Sequence, residues 1–156
     1  MSDIVLQRDV GSLGSLLRLS AAASAVAAGA GDSTTTTGAT IDRMGFSSGS
    51  MPMTMAAAII YDATLATAKT LSFGYAVQDS ADGSTWADYQ TATYAVVATG
   101  ATAASVAAGQ LEVGVNLTSA RRFVRFNFAP DLSATQTDTA VARAVGFAAG
   151  FDRLPQ

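Results

Sequence analysis

The chain has 156 residues, 49% hydrophobic and only 13% charged, with nine basic against twelve acidic side chains for a net charge of −3. It contains no His, no Cys, one Lys (Lys69) and one Glu (Glu112). That excludes a disulfide framework, thiolate or imidazole metal ligation and most general-base catalysis, and the weak negative charge lacks the basic patch a nucleic-acid binder needs. A chain of this length forms one domain by default, with enough residues for a proper core. With so few charges its exposed surface must be largely Ser, Thr, Gly and Ala, which solvates well but repels neighbours weakly.

Residues 1–38 differ from the rest. They are rich in Gly, Ser and Ala and end in the polar run Asp32-Ser33-Thr34-Thr35-Thr36-Thr37-Gly38. They read as an extended N-terminal arm, with a short helical piece around Ser15 to Ala28. Composition alone favours a disordered tail. An arm with so few large side chains does not order itself cheaply, because each fixed residue costs about 1–2 kcal/mol of backbone entropy. Neighbouring chains are therefore expected to hold it. Its large apolar side chains, Ile4, Leu6, Leu13, Leu16 and Leu17, are the candidate protein-interface residues, together with Arg121 and Arg125. The apolar run Leu16–Gly31 is preceded by Asp3 and Asp9, where a secretion signal needs a basic region, and it is too short to span a bilayer. No membrane partner is expected.

From Ala39 to the C-terminus the pattern is that of strands, a second unit covering 39–156. Weak strands fit Thr40–Phe46 and Met53–Tyr61. Leu71, Phe73, Tyr75 and Val77 alternate with Ser72, Gly74, Ala76 and Gln78, a period of two. The run Asp79-Ser80-Ala81-Asp82-Gly83-Ser84-Thr85 supplies a turn, and Trp86 to Thr93 the return strand of a hairpin. Further weak strands fit Tyr94–Ala98 and Gln110–Leu117, with Thr99–Gly109 a short helix or loop between them. In Arg121–Phe128, Val124, Phe126 and Phe128 share a face that belongs in the core, and Pro130-Asp131 ends the strand. Ala140–Phe147 closes the series. The expected fold is all-β, an antiparallel β-sandwich or jelly-roll-like domain behind the arm.

The motifs that suggest chemistry are weak. Gly45-Phe46-Ser47-Ser48-Gly49 has the spacing of a hydrolase nucleophile elbow, but the chain has no His to serve Ser47 and only Lys69 as a substitute. Asp79, Asp82 and Gly83 suggest a calcium loop, but Ala81 occupies a ligand position and the terminal Glu is missing, so a hairpin turn explains them better. Asn116-Leu117-Thr118 is a formal glycosylation sequon, best read as chance. Arg122 reads as solvated, whereas Arg121 and Arg125 are open between partner carboxylates and intrachain pairs. Trp86 reads as the cap of a core, with a sugar-stacking platform of Trp86, Tyr89 and Tyr94 as the rival. No catalytic residue, metal site or cofactor is assigned.

Four segments together, Ala39–Phe46 (ATIDRMGF), Gln78–Tyr89 (QDSADGSTWADY), Ser119–Pro130 (SARRFVRFNFAP) and Gly150–Pro155 (GFDRLP), resemble small structural proteins encoded in the head-and-tail modules of tailed bacteriophages and prophages. The resemblance covers roughly Ala39 to the C-terminus. It implies a non-enzymatic virion protein, best matched in size by capsid decoration or cement proteins. It further implies a homotrimer on the outer capsid whose partners are the major capsid protein and copies of itself, located in the host cytoplasm before assembly. A tail, connector or baseplate component is the alternative, and a carbohydrate- or surface-binding module a more distant one. The shared motifs look like fold determinants, so the resemblance assigns no partner-contacting residue.

Overall fold

The computed structural model describes residues 13–46, 50–102, 104–134 and 137–151. Within them nine strands occur: β1 (Gly14–Arg18), β2 (Ala23–Val26), β3 (Ile41–Asp42), β4 (Thr54–Leu65), β5 (Thr70–Ser80), β6 (Ala87–Thr99), β7 (Ser105–Asn116), β8 (Phe123–Leu132) and β9 (Thr139–Ala149). One sheet runs β1-β9-β4-β7, with β2 also on β9, and the second runs β3-β8-β5-β6. All pairings between these strands are antiparallel. The pairs β5–β6, β4–β7, β3–β8 and β1/β2–β9 are nested one outside the next. A ribbon so nested, rolled into two layers, is a jelly roll.

The alternation in the sequence sets the layers. In β4, Met55, Ala57, Ile59, Tyr61, Ala63 and Leu65 are buried, while the residues between them face outward. In β9 the inward positions are Ala140, Ala142, Ala144 and Ala148. These small side chains leave room for the aromatics of the opposite sheet, Phe73, Phe126 and Phe128, all fully buried. Phe73 bridges the layers, with ring centroids 5.7 Å from Tyr61 and 6.0 Å from Phe128. Tyr75 stacks on Phe126 at 5.6 Å. The predicted core face of Val124, Phe126 and Phe128 is thus the observed one.

The described part of the expected arm belongs to the sandwich. From Gly14 onward the chain pairs with β9 as β1 and β2, kinked where the amides of Leu19 and Ser20 both donate to the Ala144 carbonyl. The Ser20 hydroxyl accepts from the Ala144 amide at 2.8 Å. Leu19, Ala25 and Ala27 enter the core. Gly146 makes the space, since a Cβ there would lie 2.9 Å from Leu19 Cδ1. The helix expected around Ser15 to Ala28 is therefore two strands. Helix propensity is a weak preference in so short a piece, and the edge of β9 offers both backbone partners and apolar burial. Residues 33–38 continue along β8: Ser33 donates to Pro130, Thr36 pairs with Phe128, and the Gly38 amide donates to Asn127 Oδ1. The boundary expected at residue 38 has no counterpart in the described residues. Residues 1–12, including Ile4 and Leu6, lie outside them.

Other elements differ in extent. The strand expected over Thr40–Phe46 shrinks to Ile41–Asp42, and the return strand and Tyr94–Ala98 are one strand, β6. The stretch Thr99–Gly109 turns and then enters β7 at Ser105. Pro130 does not end β8, which runs to Leu132. Phe128 exchanges backbone bonds with Thr36, and the Pro130 carbonyl accepts from Ser33. Because N–H and C=O of a strand residue point to the same side, the missing Pro130 N–H falls away from β5 and the β5–β8 ladder is unbroken.

Candidate functional site

Described residues of the four segments quoted above, far apart in sequence, meet at one end of the sandwich. The Asp42 carboxylate accepts two bonds from Arg122, at 3.0 Å from Nε and 2.6 Å from Nη2. The Arg121 amide donates to Asp79 Oδ2 at 2.9 Å, and its guanidinium lies 3.7 Å from Asp79 Oδ1. Phe46 meets Phe151 edge-on at 5.4 Å. At the centre is Arg43, only 2% exposed. Its guanidinium donates to the carbonyls of Ala120, Arg121 (3.1 Å) and Pro52 (2.8 Å). Among the described residues no carboxylate is in contact with it, and burial pushes its pKa below the ordinary arginine value. A buried cation held by three carbonyls ties the β3 end, the β8 start and the β4 entry together. Sequence reasoning did not single out Arg43. Its place in the segment Ala39–Phe46 was the available signal.

The hairpin turn is a hydrogen-bonded loop. Asp82 Oδ1 accepts the amides of Ser84 and Thr85 and the hydroxyl of Ser80. Gly83 adopts φ +75°, which a side chain disfavours. The Thr85 and Ser84 amides hold the Asp82 carboxyl far below the usual carboxylate range. The run from Asp79 to Thr85 thus carries the turn that joins β5 to β6. Arg122 likewise lowers the Asp42 carboxyl through its hydrogen bonds, and Asp42 raises Arg122 in return. The Asn116 side chain accepts from the Thr118 amide and hydroxyl, a local turn within the sequon.

On the outer face of the second sheet Arg125 lies over the Trp86 ring at 4.2 Å and donates to Gln78 Oε1. Gln78 also accepts from Asn127 and donates to Asp88. Arg121, Arg122 and Arg125 thus all have intrachain partners. Trp86 is half-buried under Arg125 and is not part of the core cluster. The three aromatics of the rival platform do not line up. Tyr94 covers Gly74 on the outer face, while Tyr89 packs against the core and donates to the Asn116 carbonyl at 2.6 Å. Ser47 lies outside the described residues. Among those described, no group of three or more acidic, His or Cys side chains could hold a metal, and no helix is long and apolar enough to cross a membrane.

The outer face of the first sheet carries few charges. Leu16 is 86% exposed and sits opposite Phe147, and Leu13 is also exposed. Leu17, by contrast, packs against the core. Leu16, Ala56, Ala58, Glu112, Gly114, Val145 and Phe147 line an open groove of about 490 Å³. Ile60, Val141 and Val106 continue the apolar surface.

No protein-family model matches the chain, and no curated protein matches it. Solved structures similar to it include the PBSX exported protein XepA, at 15% identity and a TM-score of 0.36, covering 89% of this chain and 36% of that one. Structures of infectious bursal disease virus, Gx and Gt strains, align at 11% identity with TM-scores of 0.47 and 0.40, covering 91% of this chain and 34% and 33% of theirs. The chain spans about a third of the length of each.

Proposed function

We propose that this chain is a non-enzymatic structural protein of a phage particle, a capsid decoration protein that binds the outer head surface and strengthens contacts between major capsid subunits. The observation that carries the reading is that described residues of the four phage-like segments are tied to one another at one end of the sandwich, through Asp42–Arg122, Asp79–Arg121 and Phe46–Phe151. Those residues are occupied in building one end of the fold. What remains for function is surface, and that surface is weakly charged, with its apolar groups spread over a sheet face. Such a surface suits many shallow, repeated contacts, each weak but linked by a common lattice. Leu16, on the edge strand β1 and 86% exposed, is the candidate contact with the major capsid protein, and copies of the chain are the second partner.

The number of copies per purified particle tests this. A decoration protein approaches the abundance of the major capsid protein. A handful of copies instead assigns the chain to a tail, connector or baseplate and overturns the head reading.

A further inference from the structure

The four sheet edges are not alike. β3 is two residues long, and its line is continued by the Thr36–Phe128 bridge. On the β1/β2 edge, β1 is only five residues long, and β2 is folded over by residues 27–31, with Val26 bridging Gly31 and its amide donating to Ala30. β6 is interrupted by three register shifts against β5. Short strands, covering loops and bulges are the devices that keep edges from pairing. β7 has none of them. It stays in unbroken register with β4 over all twelve residues, and it contains no Lys, Arg or Pro.

The direction of its free groups is readable. The Asn116 carbonyl accepts from the Tyr89 hydroxyl and the Gly114 carbonyl from Gln90 Nε2 at 3.3 Å. These two residues therefore point their backbone away from β4, and by the period of two so do Glu112, Gln110, Ala108 and Val106. Side chains of β6 close the 114–116 end. The backbone of the other four residues has no partner on that side among the described residues.

We propose that the open edge from Val106 to Glu112 pairs with the same edge of a second copy, antiparallel about a two-fold axis at Gly109. A strand-adding partner must itself offer an open edge, and among the described residues only β7 does. Centred on Gly109, Val106 faces Glu112 of the partner subunit and Ala108 faces Gln110 of the partner subunit, so every open group is bonded. The two Glu112 carboxylates are kept apart. The first sheet then continues through β9-β4-β7 into the other copy. Such an interface is isologous, and it is a different contact from the three-fold one the phage resemblance implies. It does not depend on the decoration reading and is tested in solution, without capsids.

Analytical ultracentrifugation of the full chain over a concentration series measures the dimer directly. Ala108→Pro removes an outward N–H without touching the β4 ladder, so it should abolish the dimer while the fold is kept. Val106 is 79% exposed, so charge can be added there without disturbing the core. Val106→Glu places a carboxylate opposite Glu112 of the partner subunit at two symmetric positions. Val106→Lys places a cation there instead. Their dimer Kd values should rise and fall respectively, each by roughly 2- to 30-fold from two cross-strand charge pairs. A wild-type chain that stays monomeric at every concentration reached overturns the proposal. So does an assembly that Ala108→Pro leaves intact, or a shift of the same sign in both Val106 variants.

Discussion

Replacing Arg43 by Met tests the end-lock quantitatively. The substitution keeps most of the side-chain volume and removes every donor. The carbonyls of Pro52, Ala120 and Arg121 then lose their charged partner. A buried acceptor left unsatisfied costs about 1–3 kcal/mol. The Pro52 bond is fully buried and the other two are partly so, so water can recover some of the loss at the latter. Removing the cation also relieves its own desolvation cost, which offsets part of the penalty. The net destabilisation should be about 3 kcal/mol, within the 5–15 kcal/mol typical of a folded domain, so the variant still folds. For a chain of this size it corresponds to a melting temperature lower by roughly 6–12 °C. Arg43→Lys should fall between wild type and Met, because one ammonium cannot reach all three carbonyls as a guanidinium fork does. Thermal and urea unfolding followed by circular dichroism measure both. An Arg43→Met variant that melts within a degree or two of wild type refutes the claim that Arg43 joins the loops.

Two glycines make a matched pair. A Cβ on Gly38 would overlap the Phe126 carbonyl, whereas one on Gly114 meets nothing within 4 Å. Gly38→Ala should therefore cost about 1–3 kcal/mol, while Gly114→Ala should be neutral or stabilise by up to about 1 kcal/mol; equal melting shifts in the two would contradict the packing described. The pH dependence follows from Asp42 and Asp82, whose folded pKa values lie below their unfolded ones. Between those values the unfolded chain binds more protons, so their stabilisation is present above the ordinary carboxylate range near pH 4 and is lost as pH falls through the folded values. With no His in the chain, melting temperature should be flat between pH 5 and 8 and drop below pH 4, and Asp82→Asn should blunt that drop.

The strongly alternating strands were legible in the sequence because each has one buried face. Leu71, Phe73 and Val77, and Val124, Phe126 and Phe128, show the period of two directly. The Ala-rich 14–28 region did not, because Ala is as acceptable in a helix as in a strand opposite large aromatics. Only the presence of β9 decides between them. Pro130 misled for a related reason: whether a missing N–H matters depends on which side of the strand it faces, and that is set by a neighbour about 95 residues earlier. Arg43 was hidden because a lone Arg in a polar stretch looks solvated until the carbonyls of a nearby loop at Pro52 and a distant one at Ala120 and Arg121 close around it. The surface that would bear function was the least legible part, since Leu16 and Leu17 are identical in type and adjacent, yet one faces solvent and the other the core.

The most direct test of the shell role is saturation binding of the purified chain to particles that lack it, scored by co-sedimentation. The account predicts saturation at a copy number comparable to that of the major capsid protein, with Leu16→Glu weakening the binding while leaving the melting temperature unchanged. No retention of the wild-type chain on the particles, or saturation at a few copies each, would contradict it.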